Sequence, residues 1–255
     1  MLLISFFMNL SLFGQAVEWP SKRIVGVIGA SKGSCQAPVN SPLGGIGYAG
    51  CSYEALDISL TKRENLDEEG FSVQNTAQGG ARSYDIIGTG WKGYMSQYNE
   101  LYARTTWPFD GNNRLSYVVV STVNDCLHSI VCSRAEMESI LIQNIVNVAN
   151  LAQTQGVKLV VNGYANWADL DLQRAAQIFG LVNIISESDF EFMRTKYKET
   201  LSAHSNVIFL EPWDNNFHSI DGLHPIQEDV KKAAKIISKK IVKDWESDKS
   251  KKGRI

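Results

Sequence analysis

The stretch that decides the fold reads Arg23-Ile-Val-Gly-Val-Ile-Gly-Ala-Ser-Lys-Gly-Ser-Cys35. Its first half, 24–28, is apolar and mostly β-branched, which predicts a buried strand. From Gly29 onward the residues are small and polar, so the backbone can approach another group closely. In an α/β sheet such a turn lies at the carboxyl edge, where ligands bind. Two chemistries fit this turn: main-chain amides that hold a dinucleotide phosphate, or Ser31 acting as a nucleophile.

The rest of the chain alternates strands with helices. Further strands are predicted over 71–77, 115–123, 157–161 and 206–212, and helices over 83–104, 133–156, 170–201 (one or two) and from Pro225 onward. The run 115–123 is continuously apolar at its centre, which is typical of a strand buried on both faces. Ser133 with Glu136 three residues later gives the capping-box pattern of a helix start. The alternation predicts an α/β fold with a five-stranded parallel sheet and helices on both faces.

The composition fits one globular domain. The chain has 255 residues, of which 44% are hydrophobic and 20% charged, so it can bury a large core. Its formal net charge of −2 provides no basic surface of the kind that nucleic-acid-binding proteins present. The last residues, 246–255, are polar and basic and are interpreted as a solvated tail. We therefore expect a single domain over 17–245 and no nucleic-acid partner.

An apolar run occupies residues 2–13 and is followed by the small residues Gly14 and Ala16. This pattern is typical of a signal peptide, although no Lys or Arg precedes the run. The run is also too short to span a bilayer. We predict a signal peptide over 1–16 and hence a secreted or periplasmic protein without stable membrane insertion. The alternative is an apolar first segment that packs on the domain.

Four cysteines allow three disulfide connectivities, and the sequence alone does not choose among them. We favour the two local pairs, Cys35–Cys51 and Cys126–Cys132, because each would close a loop that follows a strand. Free buried thiols are the alternative. No Cys-x-x-Cys pair occurs, so a structural zinc site or a thioredoxin-like centre is not expected.

The turn that follows the first strand is similar to the glycine-rich turn of short-chain dehydrogenases, but two of their requirements are missing. Cys35 stands where the closing glycine of that turn belongs. No tyrosine in the chain has a lysine four residues later, so the pair that moves the proton in those enzymes is absent. One glycine-rich turn is weak support by itself. We therefore expect no dinucleotide cofactor.

A serine nucleophile needs a base, and the base needs a group that orients it. The sequence offers two Asp-x-x-His patterns, Asp221-Gly-Leu-His224 and Asp125-Cys-Leu-His128. In each, the carboxylate can reach a ring nitrogen while the other nitrogen faces the nucleophile. The spacing does not distinguish His224 from His128 as the base for Ser31.

Acyl transfer also needs hydrogen-bond donors for the oxyanion that develops on the carbonyl oxygen. Two groups follow the next two predicted strands: the small-residue turn at Gly79-Gly80, and Asn124. The carboxyl ends of parallel strands share one edge of the sheet. We therefore expect Gly80 and Asn124 to lie beside Ser31 as donors.

These residues fall into four blocks, in chain order Gly29-Ala30-Ser31, Asn75-Thr-Ala-Gln-Gly-Gly80, Thr122-Val-Asn124-Asp125 and Asp221-Gly-Leu-His224-Pro225. The set resembles the blocks of the SGNH hydrolase superfamily, also called GDSL-like lipases and esterases. In that family the blocks read Gly-Asp-Ser, Asn-x-Ala-x-x-Gly, Gly-x-Asn-Asp and Asp-Gly-x-His-Pro. The blocks here extend over most of the chain, and the last is a close match.

The resemblance implies a three-layer, flavodoxin-like α/β/α fold. It implies Ser31 as nucleophile, His224 as general base and Asp221 as its orienter, and so selects His224 over His128. It further implies an oxyanion hole formed by the amides of Ser31 and Gly80 and by the Asn124 side chain. The expected activity is hydrolysis of carboxylic (acyl or acetyl) esters through an acyl-serine, on a small-molecule, glycan or lipid substrate, with no cofactor and no metal.

Two positions depart from the family pattern: Ala30 replaces its Asp and Thr122 replaces its Gly. A catalytically weak or inactive glycan- or protein-binding module is therefore the alternative function. Five aromatic residues would form its binding surface if they were exposed: Trp91, Tyr94, Trp107, Trp167 and Trp213. A metal site made of His218, Asp221 and His224 is a third option.

Overall fold

A computed structural model describes residues 23–36, 38–39, 55–107, 111–127 and 131–252. The strands in this part of the chain are β1 Arg23–Ile28, β2 Phe71–Asn75, β3 Leu115–Val120, β4 Lys158–Asn162 and β5 Val207–Leu210. They form one sheet in the order β2-β1-β3-β4-β5, and all neighbouring strands are parallel. The predicted five-stranded parallel sheet is confirmed.

Helices cover both faces of the sheet. They are α1 Leu56–Leu60, α2 Tyr94–Thr105, α3 Arg134–Glu136, α4 Gln143–Thr154, α5 Leu172–Phe179, α6 Glu187–Ser202 and α7 Gln227–Lys252. A π-helical segment, Met137–Ile142, joins α3 to α4 without a break, and a second, Arg63–Asp67, follows α1. Helices α2, α4 and α6 pack on one face of the sheet, and α1 and α7 pack on the other.

Strand β3 shows why the sheet is buried on both sides. Val118 and Val120 belong to the apolar cluster beneath α2, α4 and α6, whereas Tyr117 and Val119 belong to the cluster beneath α1 and α7. All four side chains are at most 2% exposed, because successive residues of a strand point to opposite faces. The continuous apolar run of the sequence thus reflects two cores, one for each face.

The order of the strands creates a crevice beside β1. The chain leaves β1 toward β2 at one side and later returns to β3 at the other side. In open parallel sheets, ligands bind at the carboxyl edge where the direction of winding reverses in this way. The turn after β1 and the loop after β3, which carry Ser31 and Asn124, therefore flank one crevice.

The predicted helix over 83–104 was wrong in its first half, because helix α2 begins only at Tyr94. Residues 83–93 form turns closed by a bridge between Ile86 and Trp91. The carboxylate of Asp85 accepts hydrogen bonds from the Gly93 N–H and the Ser96 hydroxyl, so it holds the chain in a turn just before the helix. Ile87, an apolar residue within the range of the predicted helix, is 96% exposed.

The predicted capping box is confirmed. The Ser133 hydroxyl accepts a hydrogen bond from the Glu136 N–H, and the Glu136 carboxylate accepts one from the Ser133 N–H. The helix that starts there ends at Thr154, two residues before Gly156. No sequence pattern indicated the π-helical segment within it.

The disulfide Cys126–Cys132 is present, as predicted. Cys35 is also disulfide-bonded, and its predicted partner, Cys51, lies outside the described residues. The predicted signal peptide, 1–16, lies outside them as well. At the other end, helix α7 extends to Lys252, so most of the segment interpreted as a solvated tail is helical. Among the helices of the described residues, none has both the length and the apolar character needed to cross a membrane.

Gly26 in β1 allows helix α2 to lie close to the sheet. A Cβ atom on Gly26 would lie 2.0 Å from Cδ2 of Leu101, which is fully buried. We expect Gly26→Ala to lower the free energy of unfolding by about 1–3 kcal/mol, because a well-packed core must shift to admit the methyl group. Chemical denaturation with urea measures this change.

Gly163→Ala is the matched control for this substitution. A Cβ atom there would lie 3.3 Å from the Phe209 ring and 3.4 Å from Cγ of Glu211, so we expect a markedly smaller effect. Equal stability losses in the two variants would contradict the packing argument.

Candidate active site

Three side chains form a hydrogen-bonded chain at the carboxyl edge of the sheet. Nε2 of His224 lies 2.8 Å from Oγ of Ser31, and Nδ1 of His224 lies 2.7 Å from Oδ2 of Asp221. Ser31, Asp221 and His224 are 5%, 2% and 3% exposed. The structure therefore brings together three residues that are up to 193 positions apart in sequence. His224, rather than His128, is the histidine bonded to Ser31; His128 lies outside the described residues.

The turn that carries Ser31 follows β1 directly. The Ala30 carbonyl accepts hydrogen bonds from the N–H groups of Gly33 and Ser34, which folds the chain sharply around Ser31. Gly29 has a φ of 120°, and a Cβ atom there would lie 2.3 Å from the Ser121 carbonyl oxygen. Only glycine fits that position. Ala30 is 1% exposed and belongs to the apolar core, so the residue that departs from the family pattern here acts as a core residue.

Gln97 braces this turn from helix α2, a role that no motif in the sequence indicated. Its Oε1 accepts a hydrogen bond from the Gly29 N–H at 2.6 Å, and its Nε2 donates to the Gly29 carbonyl at 3.2 Å. Gln97 is completely buried. The sequence feature that could have indicated this role is a polar residue among the apolar residues on the buried face of α2, which include Tyr98 and Leu101.

The loop Asp221-Gly-Leu-His224 is organised by the Asp221 carboxylate. Oδ1 of Asp221 accepts hydrogen bonds from the N–H groups of Leu223 and His224, at 2.9 and 2.8 Å, and from the Ser219 hydroxyl at 3.0 Å. A Cβ atom on Gly222 would lie 2.0 Å from the Asp171 carbonyl oxygen. The glycine between the acid and the histidine is therefore required by the close approach of the chain that leads into α5.

These contacts determine the charge of Asp221. Burial by itself would raise the pKa of the carboxyl group. The hydrogen bond and the electrostatic attraction from His224, together with the two main-chain N–H groups, hold the pKa of Asp221 below its usual value. Asp221 is therefore ionised at neutral pH and accepts a hydrogen bond from the Nδ1–H group of His224, which leaves Nε2 as the acceptor for the Ser31 hydroxyl.

Phe179, at the end of α5, contacts the ring of His224. The two ring centroids are 5.7 Å apart and the planes are nearly perpendicular, at 84°. This edge contact shields the imidazole and restricts its rotation. No sequence motif predicted a role for Phe179.

Gly80 and Asn124 lie where the sequence predicts, on the loops that follow β2 and β3. The loop of Gly80 is tied to the Ser31 turn by a hydrogen bond from the Gln78 N–H to the Gly29 carbonyl, at 3.0 Å. Within the described part of the chain, the side-chain amide of Asn124 makes no hydrogen bond, and the residue is only partly buried. It can therefore donate to a group that enters the crevice.

Asp125 has a structural partner rather than a histidine among the described residues. Both of its carboxylate oxygens accept hydrogen bonds from the Ser83 N–H, at 3.0 and 2.9 Å. Burial raises the pKa of Asp125, although the Ser83 hydrogen bonds oppose the rise. Asp125 thus joins the loop after β3 to the loop after β2, next to Asn124.

The three residues of the predicted metal option do not share one site. Nδ1 of His218 lies 2.9 Å from Oδ2 of Asp229, whereas His224 is bonded to Asp221. In the described residues, no group of three or more His, Cys, Asp or Glu side chains is arranged to hold a metal ion. His218 therefore contacts the start of α7 instead.

The aromatic surface expected for a binding module is incomplete. Tyr94 and Trp213 are at most 1% exposed, so the condition of exposure is not met for them and both pack in the core. Trp91 donates from Nε1 to the Gly79 carbonyl at 2.7 Å, and Trp167 packs against Phe190. These rings stabilise loops and the core.

Solved structures share this fold. A GDSL-like lipase from Bacteroides thetaiotaomicron is 12% identical, with a TM-score of 0.52 over 88% of this chain and 89% of the lipase. A protein assigned to the SGNH hydrolases, from Slackia heliotrinireducens, is 13% identical, with a TM-score of 0.54 over 85% of this chain and 97% of that one. The predicted resemblance to SGNH hydrolases is thus confirmed for the fold.

A family two carbohydrate esterase from Clostridium thermocellum, solved in complex with cellohexaose, is also similar. It is 12% identical, with a TM-score of 0.51, and the alignment covers 87% of this chain and 64% of the esterase. No family model matches the sequence, and no curated protein matches it.

The contacts of Gln97 predict a specific stability loss. We expect Gln97→Met, which keeps the length of the side chain, to lower the free energy of unfolding by about 1–3 kcal/mol, because the Gly29 N–H loses its buried acceptor. Urea denaturation measures the change. The matched control is Gln143→Met, since Gln143 lies on the exposed face of α4 and bonds only Asn147. If both variants were as stable as the wild type, the bracing role of Gln97 would be refuted.

Proposed function

We propose that the protein, which has the SGNH hydrolase fold, is a serine hydrolase of carboxylic esters. The observation that carries the proposal is the buried chain Asp221–His224–Ser31, with both hydrogen bonds at 2.7–2.8 Å. A hydroxyl that donates to an oriented, neutral imidazole is the arrangement that activates serine for attack on an acyl carbon. Ser31 is then the nucleophile, His224 the general base and Asp221 its orienting carboxylate.

The proposed reaction has two halves. In the first, Oγ of Ser31 attacks the ester carbonyl while Nε2 of His224 takes the hydroxyl proton. The resulting imidazolium is stabilised by ionised Asp221 and returns the proton to the alcohol as it leaves. In the second half, His224 deprotonates a water molecule that attacks the acyl-serine. The imidazolium then returns the proton to Oγ of Ser31 as the acyl–oxygen bond breaks and the acid is released. The steps use only side chains and water, so the proposal requires no cofactor and no metal.

The oxyanion that forms in each half needs donors in the crevice between β1 and β3. We assign this role to the main-chain N–H groups of Ser31 and Gly80 and to the side-chain amide of Asn124. The placement of Gly80 and Asn124 on the two loops that flank Ser31 supports the assignment, as does the availability of the Asn124 amide. Fixed donors of this kind stabilise the transition state without reorganising.

The proposed substrate is a small-molecule, glycan or lipid ester with an acetyl or other acyl group. The carbohydrate esterase among the similar structures supports a glycan ester at the level of the fold. The disulfide-bonded state of Cys35, Cys126 and Cys132 supports folding in an oxidising compartment. We therefore propose that the protein acts outside the cytosol. The signal peptide over 1–16 stays a prediction.

Replacing the proposed nucleophile provides the direct test. We expect Ser31→Ala to reduce the hydrolysis of p-nitrophenyl acetate by at least about 10⁴-fold, because no other group takes over covalent attack. A fluorophosphonate probe should label the wild-type protein once, at Ser31, and should not label the variant. The matched control is Ser205→Ala, whose side chain lies on the surface and bonds Gln153. Unchanged hydrolysis in Ser31→Ala would refute the assignment, and a wild type that resists the probe would favour the non-catalytic binding module.

The proposed oxyanion donor makes a separate kinetic prediction. We expect Asn124→Ala to lower kcat by about 10²-fold with little change in KM, because the donor interacts more strongly with the transition state than with the bound ester. Steady-state kinetics on p-nitrophenyl acetate separates the two constants. Asn147→Ala, on the exposed face of α4, is the control. A rise in KM at unchanged kcat would assign Asn124 to substrate binding instead.

A further inference from the structure

Lys32 directly follows Ser31, and its side chain extends to groups on two other loops of the site. Nζ of Lys32 lies 3.4 Å from Oγ1 of Thr122 and donates a hydrogen bond to it. The same nitrogen lies 5.7 Å from the centroid of the Trp213 ring and 5.2 Å from that of the Phe217 ring. A cation within about 6 Å of an aromatic face is attracted to it.

The three groups around the ammonium are themselves held in place. Trp213 and Phe217 are 1% and 5% exposed and contact each other edge to face, with ring centroids 6.0 Å apart. Thr122 is also buried, at 5%. On the main chain, the Lys32 carbonyl accepts a hydrogen bond from the Leu56 N–H at the start of α1. Lys32 is thus anchored at both its backbone and its ammonium group.

The groups that surround the Lys32 ammonium group lie on two different loops of the site. Thr122 stands two residues before Asn124, on the loop after β3. Trp213 and Phe217 lie on the segment that leads from β5 to Asp221 and His224. One ammonium group therefore contacts both loops that supply the partners of Ser31, from a position next to Ser31 itself.

No carboxylate neutralises this ammonium group: among the described residues, Lys32 forms no ion pair. The titratable groups on the surrounding elements all bond elsewhere, namely Asp57 to Asn75, Asp125 to Ser83, Asp214 to Arg194, His218 to Asp229 and Asp221 to His224. Burial of the ammonium group lowers the pKa of Lys32 to about 8, although the residue as a whole keeps some exposed surface. Lys32 is charged at neutral pH and loses its charge about two pH units below an exposed lysine.

We propose that Lys32 is a positioning residue of the active site, whose ammonium group fixes the loop of Asn124 and the loop of His224 relative to Ser31 through Thr122, Trp213 and Phe217. The proposal rests on the proposed hydrolase function, because it assigns Lys32 a role in that reaction. It also explains the threonine that stands at position 122 in place of the family's glycine: its hydroxyl is the acceptor for the ammonium group.

The test is the pH dependence of the Ser31 reaction. Wild-type kcat/KM for p-nitrophenyl acetate, and the rate of fluorophosphonate labelling, should fall above a midpoint near pH 8 as Lys32 is deprotonated. Lys32→Met should lower kcat/KM at pH 7 by about tenfold, through the lost cation–π and hydrogen-bond contacts. It should also abolish the fall in kcat/KM near pH 8, which is called the pH 8 limb below. Lys32→Arg, which stays charged, should keep activity at pH 7 within about threefold and show no such limb.

A second test variant and a control allow the proposal to be tested even if the Lys32 variants do not fold. Thr122→Val removes the acceptor but keeps the shape, so the limb should move to lower pH. Lys196→Met, in an exposed pair with Glu199, is the control and should leave the profile unchanged. Wild-type rates and an unchanged limb in both Lys32→Met and Thr122→Val would overturn the proposal.

A measurement that does not depend on turnover separates this proposal from the proposed function. In protein labelled with ¹³C at the lysine ε position, the Lys32 signal, identified by its loss in Lys32→Met, should titrate near pH 8 and be shifted upfield by the two rings. A midpoint near about 10.4, the value of an exposed lysine, with no upfield shift, would overturn the positioning role. A wild type that neither hydrolyses esters nor reacts with the fluorophosphonate would instead refute the hydrolase, whatever the lysine signal shows.

Discussion

Asp221 carries a negative charge inside the protein, and the geometry of the site depends on how that charge is satisfied. A buried carboxylate is stable only where enough donors surround it. Four donors do so here: the His224 ring, two main-chain N–H groups and the Ser219 hydroxyl. The same contacts that pay the cost of burial fold the loop and turn the imidazole toward Ser31. The same contacts of Ser219 and of the motif Asp221-Gly-Leu-His224 therefore both satisfy the carboxylate and orient the histidine.

The backbone that leads to Ser31 is held by helix α2. Gln97 bonds both the N–H and the carbonyl of Gly29, and Gly26 lets the same helix lie close to β1. Ser31 thus follows a strand and a turn that are held by hydrogen bonds from Gln97 and within the turn itself, which restricts the position of the hydroxyl. A reacting group held by packed regular structure is more precisely placed than one on a free loop.

The sequence predicted the sheet and the four blocks well because both depend on short-range patterns. Buried parallel strands are continuous apolar runs, and the groups at their ends are small or polar, so Ser31, Gly80 and Asn124 were found from strand ends alone. His224 required the family resemblance, since Asp125 offered the same spacing. The helix predicted over 83–93 was wrong for a different reason. Apolar periodicity suggested a helix there, but the polar side chain of Asp85 holds these residues in turns before α2 begins.

Gln97, Phe179 and Lys32 could not be found in this way, because each acts through contacts with residues remote in the sequence. A glutamine in a helical stripe looks the same whether it faces solvent or a buried turn, and a lysine beside a serine gives no sign of aromatic rings that come 181 and 185 positions later. Such contacts follow from the way the strands are ordered in the sheet, and chain order does not reveal that. These residues do not appear in any sequence motif because their contacts depend on tertiary packing.

Ala30 lies in the apolar core one position before Ser31, the proposed nucleophile, and this has a consequence for how the site could be transplanted. The turn that carries Ser31 is part of the packed domain, because Ala30 in that turn belongs to the apolar core. Moving residues 29–34 to another protein would carry the serine without the cavity that receives the alanine methyl group. The smallest portable unit that positions Ser31 is therefore β1 together with α2 and the start of the loop after β3, so the placement of Ser31 is a property of the fold rather than of a loop.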